Sequence, residues 1–492
     1  MVSCCTAKCI GRVPVGTRMG VCLPRMDILF QALPLLLLLG LLGSGRVAPV
    51  PACLMALAAS LPAIAHALPP GLGLARFLGS ETLRALFLGA MPVATLSGGL
   101  LFSLVAAPRA TGAVPPSPRR AYLMVLAGSF VESATGFGVG AVFTLGACRA
   151  MGIRGVAAGG MAVLSCWLAP WGALGPGLAL GAALAQRPMA EVSMVSALPH
   201  AAWLMVAPPV LWSLLAHAGL QVPRRERLAQ LGLQASMAAL LLLSAYSMPP
   251  ETVGLLTSGL VLLPALWHFS PPRDAAARRA ALAAAGPWAL LTACLLLAHA
   301  WHSAPAWQPY ADLPALPLTH VAVVLWAMSL GFLAARRDGL HRLREAMGRM
   351  RRPALAMILY VVLGRWLAGS GAATALAHSI AAGLGPLAPY AIPPLGMLGG
   401  LLTGSNVGAA SAMMPVQADL GLAAGLPPWL APGIQNFAGG AGAAFSFAMT
   451  AMICGLLADG TRPPALWRGL MPLILAVPVI GWAAVAILRA LA

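Results

Sequence analysis

The sequence predicts an all-α polytopic membrane protein, and three observations lead there. Of 492 residues, 60% are hydrophobic and only 9% are charged, against about 25% charged in an ordinary soluble domain. Charge-free runs recur along the chain, among them 155–186, 366–418 and 420–458, each long enough for one or more spans of about 20 apolar residues. Several of these runs carry clusters of glycine with an embedded polar residue. Together they predict about 12–14 membrane segments, arranged as two related halves with broken or re-entrant helices.

The elements follow in chain order. Residues 1–26 read as a polar, disordered tail. Its CCTAKC segment (Cys4, Cys5, Cys9) has no nearby histidine to complete a metal site. Met26 directly precedes the first apolar run and is a second candidate start. No cleavable leader is expected, because the segment from Asp27 is long enough to anchor. Residues 27–119 are plain spans. A first interrupted region occupies 120–186 and a second 354–458. Between them 187–335 reads as scaffold, and 459–492 as a last span.

The net charge is +18, yet nucleic acid is not the expected partner. The basic residues sit in short connections, as the positive-inside rule requires. RRDGLHRLREAMGRMRR (Arg336–Arg352) holds seven arginines and two acids. It is expected as a cytoplasmic loop within 336–353. The connection HSAPAWQPYADLPALPLTH before it has no Arg or Lys and is expected outside. Arg109, Arg119 and Arg120 leave the early topology open.

The interrupted regions carry the chemistry. SFVESATGFGVG (Ser129–Gly140) places Glu132 after eleven uncharged residues and before sixteen more. An acid at that depth is costly and marks a function. Glu132 reads as a proton carrier, as a cap for the half-helix after the break, or as both. WGALGPG (Trp171–Gly177) follows. The second region holds Ser370 and Gly371, then GSNVGAASAMMPVQ (Gly404–Gln417), then QNFAGG (Gln435–Gly440). Irregular backbone in a membrane survives only when buried in protein or lining a cavity. Breaks at corresponding places in two halves point to a carrier's binding site, whereas isolated glycines merely allow close helix packing.

Ser405, Asn406, Gln417, Gln435 and Asn436 can bond a small polar ligand or cap and bridge helices. Arg365 is an arginine within a long apolar run. It reads equally as an anion contact or partner of Glu132, or as a side chain snorkelling to the interface. His200, His217, His320 and His378 read as packing or interfacial residues near span ends. Asp419 and Asp459 read as solvated ends. There is no GxxxxGK[ST] phosphate loop for an ATP-driven pump, and no HExxH zinc helix. No cofactor or metal is expected.

These five segments, in this order across about residues 120–450, resemble the L-lactate permease family, which includes glycolate permease. That family carries an E-G-x-A-G-F-G segment, where this chain has ESATGFG (Glu132–Gly138). The resemblance implies a proton-coupled carrier of small 2-hydroxymonocarboxylates in the plasma (inner) membrane. Carried over by position, Glu132, Gly136, Phe137, Gly138, Ser405, Asn406, Gln417, Gln435 and Asn436 would line the transport site. Departures stand beside it. Asn406 occupies a position where the family often has Asp, and Ala410 one where it has Asn. AAFSFAM replaces a KMISP-like stretch, and Arg365 matches no family position. The reading is therefore a secondary carrier of small organic anions and not an enzyme, with a proton and the lipid bilayer as its other partners. The alternatives are a carrier or exporter of another organic or sulfonated anion and, from a different class, a membrane-embedded enzyme.

Overall fold

The computed structural model describes residues 25–68, 71–106, 115–136, 138–269, 271 and 274–491. Cys4, Cys5, Cys9, Arg109 and Phe137 lie outside the described residues, as does nearly all of the tail. The described chain is almost wholly helical. It begins with α1 (Arg25–Gly43), α2 (Pro49–Ala67) and α3 (Leu74–Ala106). Then come α4 (Pro118–Thr135), α5 (Val139–Ala150), α6 (Gly155–Leu164), a 3-10 segment Ala169–Leu174 and α7 (Pro176–Leu184). The scaffold is α8 (Met189–Leu204), α9 (Ala207–His217), α10 (Arg224–Ser247), α11 (Val253–Phe269), α12 (Ala275–Ala300) and α13 (Val321–Ala334). Between α12 and α13, β1 (Ala306–Trp307) pairs antiparallel with β2 (Leu316–Pro317). The chain closes with α14 (Gly339–Ser370), α15 (Ala372–Leu384), a 3-10 segment Gly385–Ala391, α16 (Ile392–Thr403), α17 (Asn406–Ala423), α18 (Leu430–Ala444), α19 (Phe447–Leu457) and α20 (Pro463–Leu491).

Among the described residues, nine helical stretches are long and apolar enough to cross a membrane, and five shorter apolar helices accompany them. The chain is a multi-pass membrane protein. One expectation changes here: the basic stretch 336–352 is mostly helix, not loop. α14 begins at Gly339 and runs unbroken for 32 residues. Ion pairs one turn apart, Arg342–Asp338 and Arg349–Glu345, support its first turns. The second interrupted region therefore starts within a helix.

The two ends of the bundle are distinguishable by charge. At the basic end Arg336 donates to Val105 O and Arg342 to Leu104 O, joining the start of α14 to the end of α3. The β1–β2 connection, without Arg or Lys, lies at the other end, where Asp312 faces Arg84 and Arg365. The end opposite the basic one is called the outer end.

Two hairpins enter from opposite ends. α4 and α5 form the first, with Gly136 (φ 65°) and Gly138 (φ 75°) at its tip. Its base is basic-end: Arg119 pairs with Glu226 at the start of α10, and Arg149 at the end of α5 bonds Leu456 O at the end of α19. A Cβ on Gly140 would lie 2.6 Å from Glu132 Cβ, so glycine lets these arms touch. α16 and α17 form the second hairpin, turning at Gly404 (φ 73°). Its base lies at the opposite end, where Asp419 accepts from Thr374 near the start of α15. Each hairpin is followed by a helix broken in the middle: α6 and α7 about the 3-10 segment, and α18 and α19 about Phe445 and Ser446.

Candidate functional site

The breaks from the two halves meet. Gly177, at the start of α7, packs directly on Asn406, at the start of α17: a Cβ there would lie 2.7 Å from Asn406 Nδ2. Gly440 of α18 packs on Pro170 in the same way, at 2.6 Å from its Cγ. Gly138 faces Met449 and Met452 of α19. Four helices thus start at one place. α7 and α17 leave it toward the outer end, and α5 and α19 toward the basic end.

A cavity of about 90 Å³ lies between these starts. Glu132, Gly138, Gly177, Ser405, Asn406 and Met449 line it, with Gly136 alongside. The free N–H groups of a helix start favour an anion. Three of the four starts carry a cap from within the chain. Ser405 Oγ accepts from Val407 N (3.1 Å) and Gly408 N (3.3 Å). Ser446 Oγ accepts from Met449 N at 3.1 Å. At α5 the cap is the Glu132 carboxylate, whose oxygens accept from Gly138 N (3.1 Å) and Gly140 N (2.9 Å). The fourth start, α7, follows Gly175 and has no side-chain cap. Glu132 is buried, and it is the one carboxylate lining this cavity.

Behind the cavity runs a chain of polar contacts. Asn406 Nδ2 donates to Asn436 Oδ1 (2.9 Å), Asn436 Nδ2 donates to Ser196 Oγ (3.0 Å), and Ser196 donates to Gly433 O (2.9 Å). This holds Asn406 by its amide nitrogen. Its Oδ1 is buried and has no hydrogen-bond partner among the described residues. A buried acceptor without a donor is costly, so a donor from a ligand would be favourable there.

The structure separates the remaining candidates. Gln417 and Gln435 do not line the cavity. With its amide turned to suit its neighbours, Gln417 donates to Ile392 O (3.1 Å) and Gln435 Oε1 (3.1 Å) and accepts from Gly396 N (3.0 Å). Gln435 Nε2 donates to Ala409 O at 3.3 Å. Together they brace α16, α17 and α18. Arg365 is a correction to its expected pairing. It does not reach Glu132 but donates to Glu81 Oε2 (2.6 Å), with Asp312 at 3.5 Å. α14 carries it to the outer end, away from the cavity. Ser370 and Gly371 lie there too, as a turn between α14 and α15.

His200 has the packing role expected of it but not the expected place. It does not sit near a span end but is fully buried, edge-on to Trp171 and Phe437, which belong to the two broken regions. Its Nε2 lies 2.5 Å from Trp167 O. A carbonyl only accepts, so Nε2 carries the hydrogen. His200 thus satisfies a carbonyl freed where α6 ends, a role that its lone place in an apolar run does not reveal.

Residues 313–459 match the family model of L-lactate permease, so that part of the chain is similar to that family. No curated protein matches the chain. The matched stretch includes the α16–α17 hairpin and both halves of the α18–α19 helix. The α4–α5 hairpin, with Glu132, lies outside it.

Proposed function

We propose that the chain is a secondary active carrier of small organic anions in the plasma (inner) membrane, coupling uptake of a 2-hydroxymonocarboxylate such as lactate or glycolate to a proton. The observation that carries this reading is the meeting of four helix starts around one small cavity with one carboxylate in its wall. The substrate carboxylate would lie against the uncapped start of α7 and the Ser405 hydroxyl. The 2-hydroxyl would donate to Asn406 Oδ1. Gly136 and Gly138 shape the tip, and Phe137 is assigned there by position in the motif alone. Gln417, Gln435 and Asn436 support the site from behind.

Coupling follows from charge. Two carboxylates in one cavity repel each other, so protonation of Glu132 and binding of the anion favour one another. Protonation also weakens the cap on α5, because a neutral carboxyl is a poorer acceptor than a carboxylate. That loosens the hairpin tip when substrate is bound and re-forms it when the proton leaves.

The test uses purified chain in proteoliposomes with an imposed pH gradient. Glu132→Gln is expected to abolish gradient-driven accumulation of L-lactate while leaving substrate exchange measurable. Unchanged gradient-driven uptake in this variant would remove Glu132 from the proton path.

A further inference from the structure

The second cavity is larger, about 570 Å³, and opens at the outer end. Its walls come from α3, α7, the α10–α11 connection, the end of α12 and the β1–β2 connection. Pro176 lines both this cavity and the central one, and Thr95 here adjoins Leu96 there. α7 therefore runs from the central site along the wall of this chamber. Its ionisable lining consists of Arg187, Glu251 and the imidazoles of His299, His302 and His320.

Arg187 follows the end of α7. Its Nε donates to Glu191 Oε2 (2.9 Å) and its Nη2 to Glu191 Oε1 (2.7 Å). This fork fixes the plane of the guanidinium and leaves Nη1 without a protein partner among the described residues. A guanidinium held on one edge by a carboxylate still presents donors on the other edge to a second carboxylate. We propose that this outer chamber is a loading site for the monocarboxylate anion, with Arg187 as its receiving group, from which substrate passes along α7 to the central cavity. The inference rests on the carrier reading above for its ligand. The chamber itself rests on geometry.

Two measurements test it. In the first, Ala183→Cys, on the chamber wall, is treated with a membrane-impermeant thiol reagent in right-side-out and inside-out vesicles. Labelling above the parent chain is expected from the outside, slowed by saturating L-lactate. Labelling from the inside only, or without protection by lactate, overturns the loading site. In the second, uptake of L-lactate by Arg187→Gln is compared with that by Glu191→Gln. Arg187→Gln is expected to raise KM about tenfold or more with kcat little changed, as loss of a charge-assisted hydrogen bond implies. Glu191→Gln, which keeps the positive charge but only one acceptor to position it, is expected to raise KM clearly less. An equal rise in both variants means that only the salt bridge matters, and the proposal fails. Absence of any uptake by the unmodified chain would count against the carrier reading. The chamber would then be judged on labelling and its protection alone.

Discussion

Asn406 shows how one side chain can be fixed by what surrounds it. Its nitrogen is held through Asn436 and Ser196, and its backbone lies under Gly177 with no room for a methyl group. Gly177→Ala places Cβ 2.7 Å from Asn406 Nδ2 and 2.8 Å from its carbonyl carbon, so the start of α17 must move. Displacement on the order of 1 Å at a positioned group costs about a hundredfold in favourable cases. Lactate uptake by Gly177→Ala is accordingly expected to fall by about one to two orders of magnitude. Gly146→Ala in α5 is the control: nothing lies within 4 Å of its Cβ. It should transport normally and gain about 0.5–1 kcal/mol of stability from helix propensity. Glu132, Ser405 and Asn406 were readable from sequence because a polar group in a long apolar run is rare enough to stand out. Arg365 stood out for the same reason, but its partner Glu81 is 284 residues away. Rarity marks a residue without saying where its partner lies.

The broken helices are the elements that sequence exposes best. Gly136, Gly138 and Gly404 all adopt positive φ, a backbone that glycine reaches without strain, so their clusters mark real chain reversals. Direction was not legible. Nothing in Gly404–Gln417 says that its hairpin enters from the end opposite to Ser129–Gly140. That follows only from long-range ties such as Arg149 to Leu456 and Asp419 to Thr374. A further tie joins the α19–α20 turn to α6. Asp459 accepts from Thr461 Oγ1 (2.6 Å), Thr461 N (3.1 Å) and Gly155 N (2.9 Å). These bonds, those from Thr461 foremost, hold its carboxyl below the usual carboxylate range. A carboxyl depressed by folding stabilises the native state above its unfolded value, and that contribution is lost as pH falls through the folded value. The unfolding temperature in detergent should therefore drop as pH goes below about 4. Asp459→Asn should start lower at neutral pH and show a shallower acid dependence. Identical acid dependence in the two chains would leave this tie without effect.

At the scale of the whole molecule the outer end is tied together by charge. Glu81 on α3 and Arg365 on α14 are nearly buried, with side chains 8% and 11% exposed. Arg84 bonds Glu81 at 3.0 Å and faces Asp312 at 3.6 Å. Its guanidinium also lies over the Tyr310 ring, 5.5 Å from the centroid, while Phe87 meets Trp307 edge-on. The network fastens the β1–β2 connection, one wall of the outer chamber, to two long helices. Removing one member of a buried pair costs about 3–5 kcal/mol when the other charge is left uncompensated, and here the cost is smaller because Glu81 keeps Arg84 and Arg365 keeps Asp312. Arg365→Ala should therefore lower the unfolding temperature measurably, and Glu81→Ala should do likewise. The double variant Glu81→Leu/Arg365→Met should recover most of the loss, because burying a charged pair repays little beyond apolar packing. Lactate uptake distinguishes this role from substrate contact. If Arg365 only fastens the outer end, the stable double variant should transport with a KM near that of the parent chain. A stable double variant with greatly raised KM would instead return Arg365 to the substrate path.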